Sequence, residues 1–413
     1  MAGGGAPGAS SSAARGAADV AAAVVAAPLR VAACPVAIIA RRRPEARVRK
    51  TRLNLQHRRT GAKMVDFAGW EMPLHYGSQV QEHRSVRRSA GLFDVSHMAV
   101  VDVPADCSEA LHRLFANDLN RLAAPGQALY TAMLNASGGV IDDLIVYRLG
   151  SCYRMVFNAA RERTDLAHLH RHLPEAAVRL RRDLNILALQ GPEAGSILGR
   201  ARPDLAEAID GAGPFRCAQV GEALIGTTGY TGEAGFELIV PAERAEALWA
   251  ELTRAGAAPV GLAARDTLRL EAGLNLYGHE MDEGIHPMRA NLGWSIPLDR
   301  HSDFIGSEAV RDRAPALDDR LAGLVLEGRG VLRQGQRLFA DGADIEQDSP
   351  CGIVTSGGFS PTLECSIALA RIGCAVERTC AVEIRGRLEA VRIVRPRFVW
   401  RGKNVIKDEE ATP

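Results

Sequence analysis

The sequence predicts an α+β protein with a separate β-rich unit after about residue 315. Three observations carry this reading. Strand-like and helix-like segments alternate at short intervals from about Met64 onward. They include a hairpin signal over residues 129–147, which a doubly wound parallel sheet would not need. Beyond Pro315 the helical spacing stops, and short apolar runs follow one another between Gly/Pro turns.

Each element has its own local reason. Residues 81–90 read as a charged helix stopped by Gly91. Residues 100–103 are a short apolar run ending at Pro104, like an edge strand. Cys107, Leu111, Leu114 and Phe115 have helical spacing. Residues 129–133 and 140–147 flank the turn Asn135-Ala136-Ser137-Gly138-Gly139 and read as a hairpin. Residues 164–173 form a helix carrying His168, His170 and His172. Residues 186–189, 224–228 and 236–240 read as strands. Residues 242–255 are a marked helix with Ala245, Leu248, Trp249 and Leu252 on one face, and residues 262–272 are another. The last unit has strands at 321–326, 352–355, 365–370 and 382–384. Its boundary is expected in the charged stretch 311–320.

Composition excludes several classes. The chain has 413 residues, 47% hydrophobic and 24% charged. That is an ordinary globular balance for two or three domains, and it excludes collagen, a coiled coil and a fully disordered chain. A net charge of +1 disfavours a polyanion binder, and no basic stripe with interleaved aromatics suggests nucleic acid. Residues 1–52 hold nine Lys/Arg against Asp19 and Glu45, a net +7 that leaves −6 for the rest. They are expected to be a leader: a transit peptide, a disordered tail or an overextended gene start. Its two apolar pieces, split by Arg30, are too short to cross a membrane. Eight cysteines without metal-site spacing read as reduced thiols in a cytoplasmic setting, or in the mitochondrial matrix if the leader is a transit peptide.

Three stretches could carry chemistry. In Val140-Ile141-Asp142-Asp143-Leu144-Ile145-Val146-Tyr147 the strand faces alternate, so the two carboxylates point to opposite, otherwise apolar faces. At least one is held in low dielectric, where its pKa rises and it suits proton exchange. The bland alternative is that the pair caps the Gly138-Gly139 turn. In residues 227–237, Gly229, Gly232 and Gly235 would let backbone approach a flat ligand, and Glu237 could accept N–H bonds from an amidine-like edge. An exposed strand face is the alternative. In residues 261–272, Arg265 and Arg269 share a helix face and Asp266 can pair with Arg269; a solvated charged face is the default. Ser96 and His97 are adjacent on extended chain and cannot form a nucleophile–base pair with each other. The three histidines of residues 168–172 lack metal-ligand spacing, so no metal is expected. No nucleotide-cradling loop is present.

Together these stretches resemble the aminomethyltransferase (T-protein) family of the glycine cleavage system, in its bacterial form. The resemblance includes residues 61–74, 93–98, 135–147, 228–237, 265–271 with Asn275-Leu276-Tyr277-Gly278, and 355–361, and it runs from about Leu55 to Lys403. It implies a three-domain, cloverleaf-like arrangement with a folate-binding central cavity. Two intertwined α+β domains would occupy residues 53–315 and a small β-barrel-like domain residues 316–405, with a tail at 406–413. It implies transfer of the one-carbon unit from the aminomethylated lipoyl arm of H-protein to tetrahydrofolate. The products are 5,10-methylenetetrahydrofolate, ammonia and the dihydrolipoyl arm. Tetrahydrofolate would be the co-substrate; lipoylated H-protein and the other glycine cleavage components would be the partners. The resemblance assigns Asp143 as the catalytic carboxylate and Glu237 and Arg265 to the pterin. Met98, Tyr130, Asn158 and Tyr230 fall at cavity-lining positions, and Arg401 is a match near the C-terminus. Three departures stand out: Ala263 and Glu364 where the family commonly has Gly, and Phe157 where it has a smaller aliphatic residue.

Two relatives provide rival readings. A non-catalytic folate-binding protein of iron–sulfur cluster assembly should carry a Lys-Gly-Cys-x-Gly-Gln-Glu signature, and the comparable region, residues 276–282, has no Cys. The folate half of a demethylating flavin dehydrogenase needs a dinucleotide-binding domain, which 52 leader residues cannot supply.

Overall fold

The computed structural model describes residues 48–406. Residues 1–47 and 407–413 lie outside them, and with them Cys34 and most of the expected leader and tail. Two large sheets, a closed barrel and two small sheets of three and two strands make up the described fold. The first sheet has five strands, in the order Gln127–Leu134, Val140–Arg148, Cys152–Phe157, Ala99–Pro104 and Arg179–Leu180. The second has six: Cys217–Val220, Ala223–Gly226, Gly235–Pro241, Leu184–Gln190, Gly91–Asp94 and Ala258–Pro259.

These sheets are apolar on both faces because each face has its own core. Along Leu184–Gln190, Leu187 and Leu189 pack with Leu248, Trp249 and Leu252 of the helix Ala242–Arg254. The alternate residues Ile186 and Ala188 join Val100, Tyr147, Val156 and Ile239 in a core shared by the two sheets. The same split operates in Ala99–Pro104, where Val101 and Val103 face Phe115, Met155 and Leu169. A period of two with both sides buried reads as a continuous hydrophobic run. It also corrects the edge-strand expectation for residues 100–103. That strand lies between Cys152–Phe157 and the two-residue strand Arg179–Leu180, and Pro104 stands at its end, where no ladder bond is lost.

The barrel closes through Asp319–Leu326, Cys365–Gly373, Gly352–Ser360, Arg337–Phe339, Thr379–Ile384 and Arg387–Val394 around Leu324, Leu338, Val354, Ala370, Val382 and Ile393. The helix Leu262–Glu271 ties it to the rest. Arg269 Nη2 donates to Ser356 Oγ at 2.9 Å and Nη1 to Glu280 Oε2 at 3.2 Å. Glu271 accepts from Ser360 Oγ, from the Thr362 amide and hydroxyl, and from Arg87. Arg269 is 2% exposed, so the solvated charged face expected for residues 261–272 is wrong at this position: the helix lies under the barrel, and Arg269 is its anchor.

The expected leader also runs into the fold. Arg49–Lys50 pairs parallel with Trp70 and Glu71, Arg49 meets Glu162 at 3.3 Å, and Thr51 Oγ1 donates to buried Asp94 at 2.6 Å. Charge alone suggested a leader, but these cations have partners. The Glu364 departure has a backbone consequence. Its φ is +57°, a left-handed conformation that costs a side-chain-bearing residue about 1 kcal/mol or more. The turn is held there by Thr362 on Glu271 and by the Glu364 amide on Ser360 O.

Three outcomes test this architecture. Thr51→Val should cost about 1–3 kcal/mol in chemical denaturation, because it removes a donor from a buried carboxylate. Glu364→Gly should stabilise by about 0.5–1 kcal/mol, the relieved strain outweighing the added unfolded-state freedom. The partners of Glu271, His83 and Arg87 among them, hold its carboxyl down at about 2 against burial. Its contribution is therefore complete above about pH 4.5 and lost as the pH falls toward 2. A Glu271→Gln variant should show a shallower acid-unfolding curve than the parent over that window.

Candidate active site

One cavity of about 2200 Å³ lies among the two sheets, the Leu262–Glu271 helix and the barrel. Asp143, Glu237, Arg265, Met98, Tyr130, Asn158, Tyr230 and Arg401 all line it. Residues spread over some 300 positions thus face one space. The volume exceeds the roughly 300–1000 Å³ that holds one drug-sized ligand, so there is room for two reactants.

Asp143 sits in Val140–Arg148, opposite Ala132. Tyr130 Oη donates to its Oδ2 at 3.1 Å and Asn158 Nδ2 to its Oδ1 at 2.8 Å. Burial pushes the carboxyl up to about 6, and the two donors hold it back from going higher. It is mostly ionised at neutral pH and can still take a proton. Asp142 points into the opposite face and is fully buried. Burial and the neighbouring Asp165 push it well above the usual carboxylate range. Neither caps the turn: Asn135 Oδ1 does so, accepting from the Ser137 and Gly139 amides.

Glu237 is aimed by Thr228 and Tyr147. Thr228 Oγ1 donates to Oε2 at 2.6 Å and Tyr147 Oη to the same oxygen at 3.3 Å. Oε1 is left for the cavity. Arg265 lies over the Tyr230 ring at 4.8 Å and the Phe93 ring at 5.8 Å. Its Nη1 is buried without an acceptor, and burial lowers the guanidinium's pKa. A carboxylate edge and a spare N–H facing one space suit a flat heterocycle with an amidine-like N–H edge and a carbonyl. That is the edge chemistry of a pterin, so the residues present fit tetrahydrofolate.

Gly229, Gly232 and Gly235 all line the cavity, and two of them have a packing role as well. A Cβ on Gly229 would lie 1.9 Å from Gln190 Oε1, and one on Gly235 would lie 2.4 Å from Leu189 O. They make room for the neighbouring strand, and the ligand space follows from that packing. Ser96 Oγ donates to Ile186 O, while His97 lines the cavity with burial pushing it down to about 4, a neutral ring at physiological pH. Arg401 is exposed, at the rim.

Sequence reasoning missed the covering aromatic. Trp294 is 65% exposed and stacks on Tyr130 with ring centroids 5.3 Å apart, 16° from parallel. It sits on the short turn Gly293–Ser295, which has no periodic signal. Thr228 and Tyr147 were also missed as the pair that aims Glu237; the hydroxyl chain Tyr147–Thr228–Glu237 exists only across strands. Among the described residues no group of three or more His, Cys, Asp or Glu is arranged to hold a metal ion.

Comparison with known proteins gives a consistent result. Residues 53–300 match the family model described as the GCVT N-terminal domain. Residues 320–399 match the one described as the glycine cleavage T-protein C-terminal barrel domain. A relative from Methylococcus capsulatus described as an aminomethyltransferase is 47% identical over 369 residues, covering 87% of this chain and 99% of its own. The crystal structure of glycine cleavage system aminomethyltransferase T from Bartonella henselae aligns with a TM-score of 0.76 at 33% identity, over 84% of this chain and 96% of that one.

The electrostatics of Asp143 can be tested directly. Removing either donor destabilises the charged form, so Asn158→Ala and Tyr130→Phe should each raise the Asp143 pKa from about 6. A carboxyl carbon NMR titration of the unliganded protein measures this; an unmoved titration would show that the donors do not act on it.

Proposed function

The chain belongs to the glycine cleavage T-protein family and is a tetrahydrofolate-dependent aminomethyltransferase, and we propose that Asp143 is the carboxylate that carries the proton in its reaction. The observation behind this is the Asp143 geometry: a half-buried carboxylate, pushed up to about 6, between two donors in a cavity with room for both reactants. Tetrahydrofolate supplies the nitrogens that take the one-carbon unit.

The chain's own residues divide the remaining work. Glu237 would accept N–H bonds from the pterin edge through Oε1, and Arg265 would donate Nη1 to a pterin carbonyl. Tyr230 is fixed under Arg265, its hydroxyl on Asn275 O. Asp143 would hold a proton on Oδ1 or Oδ2 and return it as ammonia leaves, which requires a group whose two protonation states lie close in energy near neutral pH. Tyr130 and Trp294 shield that carboxylate from bulk water on one side. The donor of the carbon, in this reading, is the aminomethylated lipoyl arm of H-protein, reaching in from the open side. The non-catalytic iron–sulfur alternative finds no support, because His279, Glu280 and Met281 occupy the comparable loop, and Glu280 is spent on Arg269.

With aminomethyl-loaded H-protein and tetrahydrofolate, Asp143→Asn should lower ammonia release by about 100-fold or more, with tetrahydrofolate Kd within a few-fold of the parent. Turnover near the parent's would remove Asp143 from the mechanism. Glu237→Ala and Arg265→Ala should each weaken tetrahydrofolate binding in calorimetry by about tenfold or more. Unchanged affinity would move the pterin elsewhere in the cavity.

A further inference from the structure

Behind Asp143 lies a second acidic group that the reaction as described does not use. The helix Glu162–His172 packs behind the strand Val140–Arg148, and Asp165 on its first turn is fully buried. Neither carboxylate oxygen of Asp165 meets an N–H or O–H donor from any residue with a fixed proton. Asp142, also fully buried on the strand against which this helix packs, is the carboxyl that acts on it. A desolvated carboxylate without donors is far too costly to persist. Two buried carboxyls in contact resolve the cost by holding one proton between them, as one titrating unit.

That unit is wired to Asp143 through one amide. Asn158 N donates to Asp142 Oδ2 at 3.1 Å, and Asn158 Nδ2 donates to Asp142 Oδ1 at 2.8 Å. The same Nδ2 donates to Asp143 Oδ1 at 2.8 Å and to Asp143 O at 3.1 Å. The amide's two N–H groups therefore serve two carboxyls, and a flipped amide would turn its carbonyl oxygen on both. Arg161 lends positive charge to Asp165 from the start of the helix. Glu283 and Tyr277 face the pair from the loop after the helix Leu262–Glu271, and Tyr130 reaches Asp143 from the strand alongside.

We propose that Asp165 is a positioning residue for the transfer reaction: it shares one proton with Asp142, and the single charge left on the pair holds the Asn158 amide with its N–H edge toward Asp143. A merely structural acid on a first helical turn would cap a free helix N–H or sit in solvent. Asp165 does neither. The shared proton stands on its own; its effect on rate rests on the reading of Asp143 given above.

The experiment has a spectroscopic arm and a kinetic arm, both on the full chain. In the unliganded protein at pH 8, infrared spectroscopy should show a protonated carboxylic-acid carbonyl band. Asp165→Asn and Asp142→Asn should each remove it, and Asp143→Asn should leave it. In ammonia-release assays, Asp165→Leu should lower kcat about 10- to 100-fold with tetrahydrofolate Kd within twofold. Its acid limb of kcat against pH should move up by about one unit, because Asp143 loses an oriented donor. Asp165→Asn, which keeps an N–H toward Asp142, should recover most of that loss. Absence of the band, or its survival in both the Asp165 and Asp142 variants, overturns the shared proton. A folded Asp165→Leu protein with the parent's kcat and pH profile overturns the positioning role. Should Asp165→Leu fail to fold, the band in Asp165→Asn decides. Full activity of Asp143→Asn would sink the site assignment while leaving the spectroscopic arm to be judged by itself.

Discussion

Three charges on one ten-residue helix constrain the whole molecule. Along Leu262–Glu271, Arg265 turns to the cavity, while Arg269 and Glu271 turn toward the barrel and its neighbours. Burying a charge is tolerable only when its partners are complete. Arg269 has Asp266, Glu280, Ser356 and Leu274 O. Glu271 has Ser360, Thr362, Arg87 and His83. Displacing the barrel would orphan both, so it is locked in place by electrostatics as much as by its apolar contact through Leu270, Ile367 and Phe398. The guanidinium of Arg265 inherits that rigidity and faces the cavity from a fixed wall.

The Asp142-Asp143 doublet shows how a strand can divide two similar residues between two tasks. Alternation sends one to each face. Asp143 reaches a cavity where a phenol and an amide meet it, so its pKa settles at about 6. Asp142 reaches a closed interior beside Asp165 and cannot exchange protons with a substrate. Chemically identical groups, one residue apart, differ in proton affinity and access because of what desolvates them and which donors remain.

Much of this was legible in sequence, and the failures have physical causes. The hairpin at 127–148 and the helices from 242 and 262 are strongly periodic, and tertiary packing does not fight them. The hairpin of Lys63–Phe67 and Trp70–His75 gave no signal, because its two-residue turn is Ala68-Gly69, with Ala68 at φ +52° where Asn or Gly would be expected. The cationic run ending at Arg52 concealed a strand, since charge content does not reveal that Glu162 and Glu71 wait for Arg49 and Lys50. Local pattern could not place Arg269 either: whether a helical arginine meets water or a barrel depends on residues about 90 positions away. The cavity residues were named by motif resemblance, whereas the supports behind them, Tyr147 and Asp165 among them, join only through cross-strand and strand–helix contacts.

The size of the cavity bears on how the aminomethyl group is kept from water. A site of about 2200 Å³ cannot exclude solvent with one ligand seated. Dehydration must come from the two reactants filling the space together, against walls fixed by Arg265, Glu237 and the Trp294–Tyr130 pair. Before the second reactant arrives, Asp143 is still wetted from the open side, and its ionised form is favoured. Filling the cavity removes that water, strengthens the local field and shifts Asp143 toward holding a proton. On the role proposed for Asp143, the same step that assembles the reactants tunes the carboxylate, and proton transfer and carbon transfer become available in one enclosed state.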